Sequence, residues 1–320
     1  MIHRYRLGGL QLASAFPLVG FPPWRAGDLS PPDMIIRMGR VPEDLANADV
    51  RLRTMQARRG EEILLRFPGL MRVLVRNGEA IVDPVADADP DMIVACLLGK
   101  VQAALWYRRG LLPLHGSALA VGGRAVVILG RSGAGKSTLA ATLAPLVNGV
   151  VVGDDTCVID VADDCGGAVW PNTSVSRLWP DAVRALGASP ESLTRAPGFK
   201  DKRYMGDPND VTTSPLPLAL MIALDTDDAI SLPQVRPLKP LQSVATTFVH
   251  MHKPLVGKAL YPQSHLLTMV ARLCGGVPMV QALRPGDQGG DRTALAVLIE
   301  RVIAEGSDGA ISHCPLRPSG

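Results

Sequence analysis

"GRSGAGKST", residues Gly130 to Thr138, is the stretch that decides the fold of this chain. It fits the pattern G-x-x-x-x-G-K-[ST], with an apolar run before it that predicts a strand and a helical pattern after it. In such a loop the glycines let backbone N–H groups turn inward on phosphates, and the N-terminus of the following helix adds its positive end. The sequence therefore predicts that a nucleotide binds here.

The residue types in this loop also predict what surrounds the phosphates. Lys136 is expected to reach the terminal phosphates, and the hydroxyl of Ser137 is expected to bind Mg²⁺. ATP is the expected nucleotide. The residues predicted to contact it are Gly130, Arg131, Ser132, Gly133, Ala134, Gly135, Lys136, Ser137 and Thr138.

The composition argues against several classes of protein. The 320 residues are 47% hydrophobic, and the net charge is +3 with the basic residues scattered, which disfavours a nucleic-acid partner or a polybasic anchor. Five cysteines without a C-x-x-C pair indicate neither a disulfide framework nor a zinc site. We recognise no signal peptide and no apolar run of about 18 residues, so we expect a cytoplasmic protein without a membrane partner.

Three segments are predicted along the chain. Residues 1–88 form a small β-rich domain, with a hairpin turn at Asn77-Gly78; residues 89–305 form the catalytic domain; and residues 306–320 form a flexible tail. A helix is expected from Asp89 to Gly110, packed on the edge of the nucleotide domain. The N-terminal domain shows no chemistry of its own.

Hairpins surround the glycine-rich loop in this prediction. Gly122-Gly123 separates two apolar runs, a helix runs from Lys136 to about Ala144, and another hairpin turns near Gly166-Gly167. An ordinary nucleotide-binding domain of this kind would instead alternate strands and helices. The predicted class is therefore α/β with α+β character, with hairpins around a central mixed sheet.

Two adjacent carboxylates end a predicted strand downstream of the loop. Asp154 and Asp155 follow "GVVV", where a metal-binding carboxylate belongs, and a second one there can accept a proton from an incoming hydroxyl. Two buried like charges repel, which a magnesium ion or a proton would relieve. The plainer interpretation is a pair of acids that caps a strand end.

Other polar residues give weaker signals. His115, one strand before the loop, is by itself more typical of a structural histidine than of an acid–base group. Lys200, Lys202 and Arg203 lie in a long polar stretch, residues 187–215, and predict either a solvated loop or cations that stabilise the transferring phosphoryl group. His250 and His252 have no partner ligands nearby in the sequence, so a metal site is not expected there.

The segments "LHGSALAVGGRAVVILGRSGAGKSTLAATLA" (residues 114–144) and "GVVVGDD" (residues 149–155) together resemble the catalytic domain of HPr kinase/phosphorylase, over about residues 111–230. The resemblance implies a P-loop domain of that type in which His115 is an active-site histidine. It implies that Asp154 takes the proton from a serine hydroxyl, and that Asp155 binds the metal or assists, although the two roles can be exchanged. It also implies a homo-oligomer, and it places Arg203 at the substrate only by position.

The sequence departs from that family in two places. The glycine-rich signature after the Asp-Asp strand is missing, so the reverse, phosphorylase activity is not expected. The N-terminal region does not resemble the usual regulatory domain. Divergent relatives of this shape accompany biosynthetic clusters for ribosomal peptides, including lasso peptides, and are implied to phosphorylate a precursor peptide on serine.

The predicted function is an ATP- and Mg-dependent kinase that phosphorylates a serine of a small protein or peptide. Its predicted catalytic residues are Asp154, His115, Lys136, Asp155 and Arg203, and its predicted metal ligands are Ser137 and Asp155. A transport ATPase is disfavoured because no "SGGQ"-type signature occurs. A small-molecule kinase and a nucleotide-binding module without catalysis stay open as alternatives.

Overall fold

Two large mixed β-sheets and a set of helices make up the chain, in a mixed α/β arrangement. The computed structural model describes residues 2–7, 10–24, 30–76, 78–162, 166–198, 201–207, 214–286 and 292–309. In those ranges no helix combines the length and the apolar character that crossing a membrane requires.

The first sheet is formed by the N-terminal part of the chain, in the order β1-β2-β3-β8-β7-β6-β5-β4. Its strands are β1 His3–Leu7, β2 Leu10–Ser14, β3 Met34–Met38, β4 Val50–Leu52, β5 Met55–Arg58, β6 Glu62–Phe67, β7 Met71–Arg76 and β8 Glu79–Pro84. The expected hairpin between β7 and β8 is confirmed by their antiparallel pairing. Gly78 has φ 72°, a left-handed conformation that suits glycine, and Asn77 lies outside the described residues.

The second sheet carries the glycine-rich loop. Its nine strands in the described ranges are β9 Leu112–Leu114, β10 Gly116–Val121, β11 Arg124–Gly130, β12 Val150–Asp154, β13 Cys157–Val161, β14 Gly167–Trp170, β17 Leu216–Asp227, β18 Gln234–Pro237 and β19 Met279–Pro285. The strands β11, β17 and β19 run parallel at its centre, and antiparallel pairs flank them. The predicted hairpins β10–β11 and β13–β14 are both present.

A separate two-stranded ribbon lies within the stretch predicted as polar loop. Its strands are β15 Ser176–Leu178 and β16 Arg203–Met205. The stretch 187–215 is therefore not loop throughout, because the backbone of β16 finds its hydrogen-bond partners on β15. Residues 199–200 and 208–213 of this stretch lie outside the described residues.

Helices cover the second sheet and connect it to the first. They are α1 Pro90–Cys96, α2 Gln102–Arg108, α3 Lys136–Leu146, α4 Pro180–Ala185, α5 Pro240–Val249, α6 Pro254–Leu260, α7 Gln263–Gly276 and α8 Arg292–Gly309. A π-helical turn, Leu97–Val101, joins α1 to α2, and a 3₁₀ turn spans Pro190–Ser192. The backbone of α8 is helical past residue 306, where the sequence suggested the start of a tail.

The helical segment that begins at Asp89 packs against both sheets. The side chain of Asp89 accepts hydrogen bonds from the first backbone N–H groups of α1. Downstream, Trp106 and Tyr107 are fully buried in a core shared by both sheets, because α2 contacts β7 on one side and β9 on the other. The expected edge position agrees with the structure, since β9 is the last strand of the second sheet, and α2 also packs against the first sheet.

Tyr107 links this helix to the segment that carries His252. Its buried hydroxyl donates a hydrogen bond of 2.9 Å to the backbone carbonyl of His252. We expect Tyr107→Phe to lower the free energy of unfolding by about 1–2 kcal/mol, because the buried carbonyl loses its partner. Urea unfolding measures the change. Tyr261→Phe is the matched control, because it removes a hydroxyl that donates to the backbone carbonyl of Tyr107 at a less buried position. Equal stability of Tyr107→Phe and the wild type would contradict this link.

Candidate functional site

The glycine-rich loop (Gly130–Thr138) begins where β11 ends and passes directly into α3. Gly133 and Gly135 have φ 84° and 93°, which side chains other than glycine adopt only with strain. Gly130 has no room for a side chain, because a Cβ there would lie 2.7 Å from the carbonyl oxygen of Leu224. The glycines of the pattern are thus explained by the backbone path.

The side chain of Lys136 bonds the backbone of its own loop. Its amine donates to the carbonyl oxygens of Gly130 and Arg131, at 2.9 and 3.0 Å, and to Nε2 of His115 at 3.2 Å. Burial lowers its pKa, while Asp155 and Asp154 oppose that shift. Its partners are backbone carbonyls and a neutral imidazole. The charged amine can therefore bind a phosphate without first breaking an ion pair with a carboxylate.

A cavity of about 740 Å³ opens in front of the loop. Most of the predicted site residues line it: Gly130, Arg131, Ser132, Gly133, Gly135, Lys136, Ser137, Thr138, His115 and Asp155. Ala134 instead lines a separate pocket of about 50 Å³ with Leu224 and Arg284. The loop and its neighbouring strand ends therefore form one continuous surface.

The two adjacent aspartates are placed very differently. The carboxylate of Asp154 is buried, where it accepts hydrogen bonds from the hydroxyl of Ser117 at 2.7 Å and from the backbone N–H of Arg177 at 2.6 Å. Asp154 does not line the 740 Å³ cavity. Both of its oxygens are occupied, so it is held as a structural anchor between β10 and β15.

Asp155 does line the cavity. It has the left-handed φ of 65°, which turns its side chain away from that of Asp154. Its Oδ2 lies 2.5 Å from Nη2 of Arg177, and its Oδ1 lies 3.7 Å from Nδ1 of His115. Burial is the largest single influence and raises the pKa of Asp155, but Arg177 together with His252 and His115 outweighs it and holds that pKa well below its usual range.

Arg177 is a member of the site that sequence reasoning missed. It lies on β15, bonds both aspartates through its backbone and its guanidinium, and lines the cavity. It thereby relieves the repulsion for which the sequence suggested a magnesium ion or a proton. No local signal marks it, because the ribbon that positions it forms between segments distant in the chain.

The basic stretch contributes one described residue to the cavity. Lys202 lines it, with its amine 5.6 Å from the centre of the exposed Trp179 ring. Arg203 does not, because its guanidinium donates to the carbonyl oxygens of Pro190 and Lys202. Successive residues of a strand point to opposite faces, and it is Tyr204 that pairs with Arg177. Lys200 lies outside the described residues.

The segment His250–His252 docks beside β9. A bridge pairs Met251 with Leu114, and the backbone N–H of His115 donates to the carbonyl of His250 at 2.7 Å. His252 is buried, with its ring centre 5.9 Å from that of His115. Partner ligands are absent from the neighbouring sequence, but chain pairing brings His115 and Asp155 to His252 in space.

All three imidazoles are kept neutral by their surroundings. Burial lowers the pKa of His252 to about 3, and burial together with Lys136 lowers those of His115 and His250. The hydrogen bond of 2.9 Å between Nδ1 of His115 and the carbonyl of Asp155 places the proton of His115 on Nδ1, because a carbonyl only accepts. Nε2 of His115 is then the acceptor of the Lys136 bond.

These shifts predict that acid destabilises the folded chain. A lowered histidine pKa means that the unfolded chain binds more protons, so the free energy of unfolding falls as the pH drops below about 6.5. We expect His252→Gln to reduce this slope by up to about 1.4 kcal/mol per pH unit between about pH 6.5 and 5.5, where few carboxylates titrate. Urea unfolding in EDTA measures it. Identical slopes for wild type and variant would contradict the buried neutral state.

Comparisons with known proteins find only distant similarity. No family model and no curated protein matches the chain. Among solved structures it is similar to the HPr(Ser) kinase/phosphatase from Coxiella burnetii, with 16% identity and a TM-score of 0.29, over 62% of this chain and 95% of that one. A likeness at this level carries no argument about activity, so the proposal below depends on the residues of the cavity.

Proposed function

We propose that this chain is an ATP- and Mg-dependent kinase that transfers the γ-phosphoryl group to a serine hydroxyl of a small protein or peptide. One observation carries the proposal. The cavity in front of the glycine-rich loop also contains Asp155, His115 and Arg177, so a phosphate-binding surface and a polar acceptor surface face the same space. A loop that only bound a nucleotide would need no such second surface.

The phosphate side fits a nucleotide and its metal ion. Backbone N–H groups of the loop and the start of α3 favour phosphate oxygens, and the amine of Lys136 bonds the backbone of the same loop. The hydroxyl of Ser137 and the carboxylate of Asp155 both line the cavity, and oxygen ligands of this kind suit Mg²⁺. Held by these two side chains, Mg²⁺ would neutralise negative charge on the phosphates.

The proton acceptor that we propose is Asp155 and not Asp154. The resemblance allowed the two roles to be exchanged, and the exchange is supported by the hydrogen bonds that occupy both oxygens of Asp154. In the transfer, the serine oxygen bonds to the γ-phosphorus while the bond from that phosphorus to the β,γ-bridging oxygen breaks. ADP leaves, and the hydroxyl proton passes to Asp155.

The acceptor side of the cavity supports a peptide over a small metabolite. Trp179 and Val249 line it and are 49% and 74% exposed. Exposed apolar side chains beside the cavity would give a peptide chain apolar surface on which to pack.

Phosphoryl transfer can be tested directly. The purified chain is incubated with γ-labelled ATP, Mg²⁺ and a pool of serine peptides with varied flanks, beside the same pool with alanine in place of serine. We expect label on serine, found by mass spectrometry, and none in the alanine pool. Label on small hydroxyl metabolites alone would replace the proposal with a metabolite kinase, and ATP hydrolysis without any acceptor would replace it with an ATPase.

A further inference from the structure

Three potential metal ligands meet at the inner end of the cavity. His115, Asp155 and His252 each offer one ligand atom, and these atoms lie within 4.8 Å of one another. They come from three separate parts of the chain: the turn after β9, the end of β12 and the segment before α6. The group is therefore assembled by the fold and is not a run of polar residues on one surface loop.

The chemistry of the three ligands selects a kind of ion. Two imidazoles and one carboxylate match the three-ligand sets that hold Zn²⁺ in proteins, whereas Mg²⁺ prefers oxygen alone. In addition, Nε2 of His252 is buried and has no hydrogen-bond partner among the described residues, which is costly for a polar atom. We infer that His115, Asp155 and His252 form a site for a borderline divalent cation such as Zn²⁺ or Co²⁺, which shares Asp155 with the proposed magnesium site.

Two positively charged side chains bond these ligands in the structure and would compete with a metal ion. Arg177 holds Oδ2 of Asp155, and Lys136 donates to Nε2 of His115. If Nε2 binds the metal, Lys136 must leave it; if Nδ1 binds the metal, Nε2 carries the proton and no longer accepts from Lys136. Either way, the metal binds only after Lys136 moves away from His115.

This competition couples binding of the cation to binding of the nucleotide. Phosphates that draw Lys136 away should strengthen binding of the cation, and the bound cation occupies the carboxylate that we propose as proton acceptor. The cation should therefore inhibit phosphoryl transfer. This inhibitory part rests on the proposed function, while binding of the cation does not.

Cobalt alone is the probe, since Co²⁺ bound to nitrogen and oxygen ligands absorbs visible light. We expect saturable binding of one Co²⁺ per chain, by absorbance and calorimetry, and an affinity at least about 10-fold weaker in His252→Ala. His250→Ala is the matched control, since His250 lines the same cavity outside the group of three. His115→Gln, at a half-buried position, serves if His252→Ala does not fold, as judged by circular dichroism.

Lys136→Met supplies a test in the opposite direction. Without nucleotide, it should bind Co²⁺ more tightly than the wild type, because the competing amine is gone. A non-specific surface site would not respond in this way. Absence of saturable binding, or equal losses in His250→Ala and His252→Ala, overturns the inference.

The two proposals fail separately. Co²⁺ binding with no transfer to any serine peptide would remove the kinase and leave the metal site. Transfer with Mg²⁺ but no Co²⁺ binding would do the reverse. Co²⁺ that binds without slowing transfer would overturn the inhibitory part.

Discussion

Replacing Asp155 with asparagine is expected to lower the rate of phosphoryl transfer by about 1,000-fold, within the range that a positioned acid–base group contributes. Asparagine keeps the shape of the side chain but cannot take up the hydroxyl proton, and it loses the ion pair with Arg177. The affinity for ATP in the absence of Mg²⁺ should change far less, because the loop and Lys136 are intact. Single-turnover transfer to a serine peptide measures the first quantity, and calorimetry with ATP measures the second.

Asp154→Asn is the matched comparison for this experiment. Asp154 does not line the cavity, so the expected effect is on stability. The amide oxygen can still accept from the N–H of Arg177 while its NH₂ donates to the hydroxyl of Ser117, so the loss of the charge should cost only about 1 kcal/mol. Transfer by the folded fraction should fall by less than about 10-fold, provided that Arg177 keeps its place. A larger loss of transfer in Asp154→Asn than in Asp155→Asn would return the role of base to Asp154.

Local sequence patterns predicted the elements around the loop well. The β10–β11 hairpin, the start of α3 and the strand that ends in two aspartates depend on residues a few positions apart, namely glycine pairs, apolar runs and the loop pattern itself. The end of α3 was less well predicted, because the helix passes Pro145 and ends at Leu146. Short-range chemistry thus sets these elements with little help from the rest of the fold.

The composition of the site depends on pairings that no local pattern contains. Arg177 reaches Asp155 only because β15 forms a ribbon with β16, and His252 reaches Asp155 only because Met251 bridges to Leu114. Arg203, a cation of the right type in the right stretch, points elsewhere because of its place on a strand. Residue type therefore identified candidates, and strand register decided among them.

Replacing Lys136 should also lower the rate of phosphoryl transfer strongly. Lys136→Met keeps the length and the apolar part of the side chain but removes the only amine that bonds the loop carbonyls of Gly130 and Arg131 among the described residues. We expect transfer to fall by about 100- to 1,000-fold, as happens when one charge-stabilising donor is removed from a transition state. The fold should persist, because burial already lowers the pKa of this amine and its removal leaves no buried charge behind.

The cause of that loss can be separated from a general effect of positive charge. Lys202→Met removes another cation from the same cavity, but one that lies beside Trp179 on the acceptor side. If Lys136 acts on the phosphates, Lys136→Met lowers the transfer rate at saturating peptide, whereas Lys202→Met mainly raises the KM for the peptide. Equal effects of the two variants on both constants would show that the cavity attracts anions without distinct roles for its two lysines, and would remove Lys136 from the transfer step.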